Sequence, residues 1–109
     1  MFKLAEKNEV LWPVTIHVPD DNGPRDVTVK VRYKLLKKTE ARRIAGLAAD
    51  EIDDALLDHI TGWEGFCDLD GNPLEFSKEN LRAAMEYQFI EYALAKGWRE
   101  ASAGAPVKN

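Results

Sequence analysis

Two runs of strictly alternating residues set the framework of this chain. In residues 10–18, Val10, Trp12, Val14, Ile16 and Val18 fall on one side, and Thr15 and His17 on the other. In residues 27–35, Val27, Val29, Val31, Tyr33 and Leu35 oppose Thr28, Lys30, Arg32 and Lys34. Successive side chains of a strand point to opposite faces, so a period of two over this length reads as a half-buried strand. The intervening Pro19-Asp20-Asp21-Asn22-Gly23-Pro24 is dense in turn formers and must reverse the chain. The two runs therefore make an antiparallel hairpin, apolar on one face and basic on the other. Pro13 has no amide hydrogen to donate to a ladder, which places the first strand at a sheet edge.

Residues 39–60 carry a helical stripe, with Ile44, Leu47, Ala48, Ile52, Ala55, Leu56 and Ile60 recurring at three and four. Thr39 is the expected N-cap and Gly62 the expected left-handed C-terminal residue. Arg42 and Arg43 near the start and Asp50, Asp53, Asp54 and Asp58 in the second half oppose the dipole of a single helix. Packing of the stripe on the hairpin must then stabilise it. Gly46 is the weak point, costing roughly 1 kcal/mol relative to alanine. A third strand is expected over 63–69 and a fourth over 74–76, joined by the turn dipeptide Asp70-Gly71. Ser77 then caps a helix starting at Lys78, with Glu79 in its first turn. Leu81, Met85 and Phe89 form one stripe, and Phe89, Ile90, Ala93, Leu94 and Trp98 a second, rotated one. One helix, or two broken near Glu86-Tyr87, satisfies that pattern. The expectation is one α+β domain over residues 1–109: a small antiparallel sheet (the N-terminal hairpin plus a second short hairpin) packed by one long helix and a C-terminal helical segment. A loose arm is expected at 1–9 and a flexible tail at 101–109.

Composition narrows the function classes. With 45% hydrophobic and 31% charged residues the chain is an ordinary globular one, able to bury a core without disulfide or metal. A net charge of −4 argues against sequence-independent binding to nucleic acid. The charge is uneven: eight basic residues lie between Arg25 and Arg43, and ten acids between Asp50 and Glu79. That asymmetry could give self-association a polarity, though solvated faces explain it as well. No apolar run is long enough for a membrane helix, and MFKLAEKNEV has no apolar core of a secretory signal. Cys67 is the single cysteine, read as a half-buried strand residue in a reducing compartment. His17 and His59 have no partner at zinc-ligand spacing. No phosphate loop and no acid pair in an apolar setting supports catalysis, and no cofactor is expected. Asp68, Asp70 and Asn72, with Glu79 eleven residues after Asp68, match the spacing of a calcium loop, but Pro73 stands where that loop needs glycine. A hairpin turn explains the same residues.

Residues 62–81 carry one further signal. Gly62-Trp63-Glu64-Gly65-Phe66, then Asp68-Leu69-Asp70-Gly71-Asn72-Pro73-Leu74, then Phe76-Ser77 and Glu79-Asn80-Leu81 resemble the signature of small tail assembly chaperones of long-tailed bacteriophages and prophages. Trp12-Pro13 in the first strand, a basic strand running into a helix, and an alanine-rich end closing in Lys108-Asn109 agree with that family. The resemblance implies a non-enzymatic morphogenesis factor, often accompanied by a frameshifted extended form. It would work in the cytoplasm of the bacterial host and be absent from the mature virion. Its implied partners are the tape-measure protein, which it keeps soluble, and the major tail protein, which it helps recruit. It implies no nucleic-acid or membrane partner. The alternative is a structural tail-completion or connector subunit. Within the signature, Trp63, Glu64, Gly65, Asp70, Gly71, Pro73, Leu74, Phe76, Ser77 and Leu81 are expected to serve as scaffold. Tyr92 and Trp98, or the basic row Lys30, Arg32 and Lys34, are the expected partner-binding residues.

Overall fold

A computed structural model of the chain describes residues 8–104. It is an α+β fold of three strands, β1 (Glu9–Val18), β2 (Arg25–Lys34) and β3 (Ile60–Glu64), and four helices, α1 (Lys38–Ile44), α2 (Ala49–His59), α3 (Lys78–Met85) and α4 (Gln88–Ala103). The sheet is antiparallel with β2 in the centre, so Pro13 does lie on an edge strand. Most of the arm and tail expected at 1–9 and 101–109 falls outside the described residues. Glu9, however, is already in β1, and α4 continues to Ala103 because Ala101 is buried against the core.

The hairpin register pairs Val14 with Val29, Trp12 with Val31 and Val10 with Tyr33, which puts the apolar residues of both strands on one face. Gly23, at φ 104°, closes the turn by donating its amide to Asp20 O at 3.0 Å. Helix α4 lies across this face, chiefly over β1. Its contact surface is Ala93, Leu94, Gly97, Trp98 and Ala101, which recur at helical spacing and are all buried. Gly97 sets the distance between helix and sheet: a Cβ there would sit 2.7 Å from both Tyr33 Oη and Val14 Cγ2. Tyr33, fully buried, donates its hydroxyl to Leu94 O at 2.8 Å. The other sheet face is open to solvent.

The long helix expected over 39–60 is two. Ala45, Gly46 and Leu47 close α1 with tight bonds to Ala41 O, Arg43 O and Ile44 O, and Ala48 is extended (ψ 162°) before α2 begins. The break relieves most of the charge conflict of a single helix, leaving Asp58 in the last turn of α2. Arg42 and Arg43 now occupy the last turn of α1, and Asp50 and Glu51 the first turn of α2, both favourable to their dipoles. Thr39 is not the N-cap: Lys37 holds that position, without a side-chain bond. Gly62 is not a helix cap either. It lies inside β3 opposite Arg32, and α2 passes straight into the strand at Ile60. The expected third and fourth strands also change. β3 stops at Glu64 because Gly65, at φ 95°, turns the chain out of the sheet, leaving only a bridge between Cys67 and Pro73. The C-terminal segment is two helices, separated at Glu86-Tyr87. Ser77 does cap α3, accepting from the Asn80 amide at 3.0 Å.

Replacing Gly97 with alanine tests the close approach. Alanine gains about 1 kcal/mol of helix propensity, but overpacking against Tyr33 and Val14 costs about 1–3 kcal/mol. Thermal unfolding of Gly97→Ala is expected at lower temperature than wild type; an unchanged or raised midpoint would show that α4 does not need this spacing.

Candidate interaction surfaces

Residues 62–81 form a connector. The Trp63 ring stacks on Phe66 (4.1 Å, 19°), meets Phe76 edge-on (5.2 Å, 90°), and donates Nε1–H to Leu74 O at 2.8 Å. The tip is tied by Asp68: its Oδ1 accepts from the amides of Asp70 and Asn72, both at 2.9 Å, while Gly71 adopts φ 83°. One oxygen of the carboxylate that would begin a calcium loop is thus bound by backbone amides. Among the described residues no group of three or more His, Cys, Asp or Glu could hold a metal ion. Leu69 stands fully exposed at the tip, and Cys67 is exposed where half-burial was expected. Both belong to the loop that replaced the strand. Leu81 is completely buried, and Phe76 is half-buried against the core. Glu64, Gly65, Asp70 and Pro73 are exposed, and the half-buried Leu74 gives its carbonyl to Trp63.

Lys78 anchors the connector to α2. Its Nζ donates to Leu57 O and, at 2.8 Å, to Ile60 O, so an ammonium terminates the helix that Gly62 was expected to cap. The Phe76 ring lies 5.8 Å from the same nitrogen. Burial lowers the Lys78 pKa from its ordinary value, with the charge of Lys34 acting in the same direction and Asp58 against it.

The residues expected to meet a partner separate into two groups. Trp98 is not available: it is 2% exposed, its indole tilted against the His59 ring at 4.8 Å and its Nε1–H directed at Lys34 O at 3.3 Å. Helical spacing from Leu94 and to Ala101 aims it at the core. Tyr92, on another side of α4, is 58% exposed. Tyr87, also exposed, lies 5.8 Å from Phe89, and Phe89 and Tyr92 line a shallow depression with His17 and Pro19. Lys30, Arg32 and Lys34 project together from β2 onto the open sheet face. Their cross-strand neighbours differ. Lys30 faces Glu64 and Lys34 faces Glu9, whereas Arg32 lies between Leu11 and Gly62. Arg32 is therefore the cation with no acid directly opposite it, and the missing side chain of Gly62 leaves room beside it. The arrangement depends on how β3 pairs with β2, which no local sequence pattern sets.

An acidic cluster lies where α2 meets α3 and α4. Asp53 Oδ1 is buried with no hydrogen-bond partner among the described residues. The Glu91 carboxyl of α4 has its pKa raised by burial first, then by hydrogen bonding to Asp53 and by that residue's charge. Asp50, Asp54, Arg82 and Glu86 line the adjoining depression.

Two predictions follow from this geometry. Trp63→Phe keeps the stacked ring but leaves Leu74 O without its donor, and is expected to cost about 1 kcal/mol in denaturant unfolding. A raised folded-state pKa favours the fold fully below the unfolded value and loses that contribution as pH rises through the folded one. Glu91→Gln should therefore stabilise the protein at neutral pH, with the difference from wild type shrinking as pH falls through the raised folded-state pKa and gone below the ordinary 4.5; a pH-independent difference in melting temperature would contradict the assignment. Comparison with models of known families, with curated proteins and with solved structures finds no match.

Proposed function

We propose that this chain is a non-enzymatic tail assembly chaperone of a long-tailed bacteriophage or prophage. In this reading it acts in the bacterial cytoplasm to keep a tape-measure protein soluble and to help recruit major tail protein. The observation that carries the reading is the signature at residues 62–81, from Gly62-Trp63-Glu64-Gly65-Phe66 to Glu79-Asn80-Leu81. Its apolar residues Trp63, Phe76 and Leu81 serve the interior, consistent with a family signature that maintains a fold rather than a site.

Partner contact then falls to surfaces outside the signature. A chaperone of a long assembling chain needs exposed patches and not an enclosed pocket. The open row Lys30, Arg32 and Lys34 and the aromatic shelf of Tyr87 and Tyr92 are such patches. The first suits an acidic stretch of partner, the second an apolar one.

Co-expression with the tape-measure protein encoded beside it is expected to raise the soluble yield of that protein and to give a co-purifying complex. Replacing Lys30, Arg32 and Lys34 with Gln is expected to weaken the complex while each change shifts stability by no more than about 0.5 kcal/mol, since all three side chains are exposed. Unchanged solubility with no co-purification would remove the proposal. Recovery of the chain from purified virions would mark it as a structural subunit instead.

A further inference from the structure

Between α1 and the C-terminal half of α4 lies an apolar cleft of about 540 Å³. One wall carries Ala41 of α1 and Ala45 just past its end, four residues apart and so on one helical face; the other carries Ala95 and Ala103 of α4, and Leu36, Ile52 and Ser102 complete the lining. The buried Ile44 and Trp98 contribute to the same surface. Walls built from methyl groups stand low, and helix axes pack at about 8–10 Å according to the side chains between them. The space fits a third helix better than a compact polar ligand. Apart from Ile44, α1 is exposed along its whole length, and it makes no extensive contact with any other element.

The charge at the rim is one-sided. The two charged residues lining the cleft, Lys38 and Arg99, are both basic and exposed, and neither joins an ion pair among the described residues. Arg42 on α1 adds to the field. A helix entering with basic flanks would meet like charge, and one with acidic flanks would meet opposite charge. The acidic helix of a second copy is a poor occupant. Leu56 and Leu57 of α2 are buried in their own core, and Ile52 and Ala55 pack against it, so α2 cannot also offer its apolar stripe to a neighbour.

We propose that the cleft between α1 and α4 is a docking groove for an amphipathic helix of a partner protein, apolar along one face and acidic along its flanks. Apolar contact with the alanine walls supplies the attraction, and Lys38 and Arg99 select the flanking charge. The groove holds whether or not the partner is a tail protein, so its test is independent of the tape-measure experiment.

The probes are two fluorescein-labelled peptides of about fifteen residues, long enough to form a helix. They share a Leu/Ala stripe and differ only in having Glu or Lys on the flanks. Anisotropy with the full chain is expected to show saturable binding of the Glu peptide, with the Lys peptide weaker by about tenfold, the worth of two exposed charge pairs. Lys38→Glu with Arg99→Glu should reverse that preference. Ala45→Trp, at an exposed position, should block the groove to both peptides without lowering the melting temperature. Absence of saturable binding by the Glu peptide, or binding indifferent to both sets of substitutions, overturns the proposal. So does a concentration-dependent dimer that Ala45→Trp abolishes, which would make a second copy the occupant.

Discussion

The contact between Gly97 and the pair Tyr33 and Val14 is the constraint on which the rest of the structure depends. A helix resting on a sheet through ordinary side chains would stand further off. Here the space that a Cβ would need is already occupied at 2.7 Å by Tyr33 Oη and Val14 Cγ2. The close approach brings the phenol within 2.8 Å of Leu94 O. Burial, with the charge of Glu100, holds the Tyr33 pKa far above its ordinary value, so the hydroxyl remains a donor. One polar bond, satisfied in an apolar setting, fixes α4 along the sheet. Trp98, one residue beyond Gly97, is thereby carried into the core, where its indole reaches Lys34 O and its ring meets His59.

With α4 fixed, the remaining helices arrange around it, and charge decides how. A single helix over 39–60 would set arginines against its N-terminal dipole and aspartates against its C-terminal one. Interrupting it at 45–48 moves the arginines to a helix C-terminus and Asp50 and Glu51 to an N-terminus, at the cost of a few helical hydrogen bonds, while Asp58 stays in the last turn of α2. The same break leaves α1 standing away from α4 and opens the cleft between them. α2 then runs into β3 without a loop, and its exposed carbonyls are met by Lys78 from the connector. The connector thus closes the structure by completing a helix end that local sequence does not.

The interior and the surface of the fold differ in kind. Within residues 62–81 the aromatic residues face inward, as Trp63 does through Phe66, Phe76 and Leu74 O, and Gly65 and Gly71 set turns. The exposed surfaces are simpler in composition: a row of cations, two tyrosines and an alanine-lined cleft. Such surfaces leave little trace in a linear pattern, because lysines on a strand and alanines on a helix occur equally where nothing binds.

Local sequence determined the elements whose signals are periodic or stereochemical. The alternation over residues 10–18 and 27–35 gave the hairpin and its buried face, Pro13 gave the edge, and Ser77 gave the start of α3. Each rests on forces acting within a few residues. What depended on tertiary packing was decided elsewhere. The stripe from Ile44 to Ile60 reads the same for one helix or two, and only the competition between dipoles and packing divides it. Gly62 satisfies the rule for a helix cap, yet the opposite strand claims it, and Lys78 at 18 residues' remove caps the helix instead. Trp98 is aromatic and near the chain end, where exposure is common, but the close approach at Gly97 buries it. The arrangement of charge around Arg32 and the alanine walls of the cleft arise from elements distant in the chain. No local pattern encodes either, because long-range contacts set which faces meet.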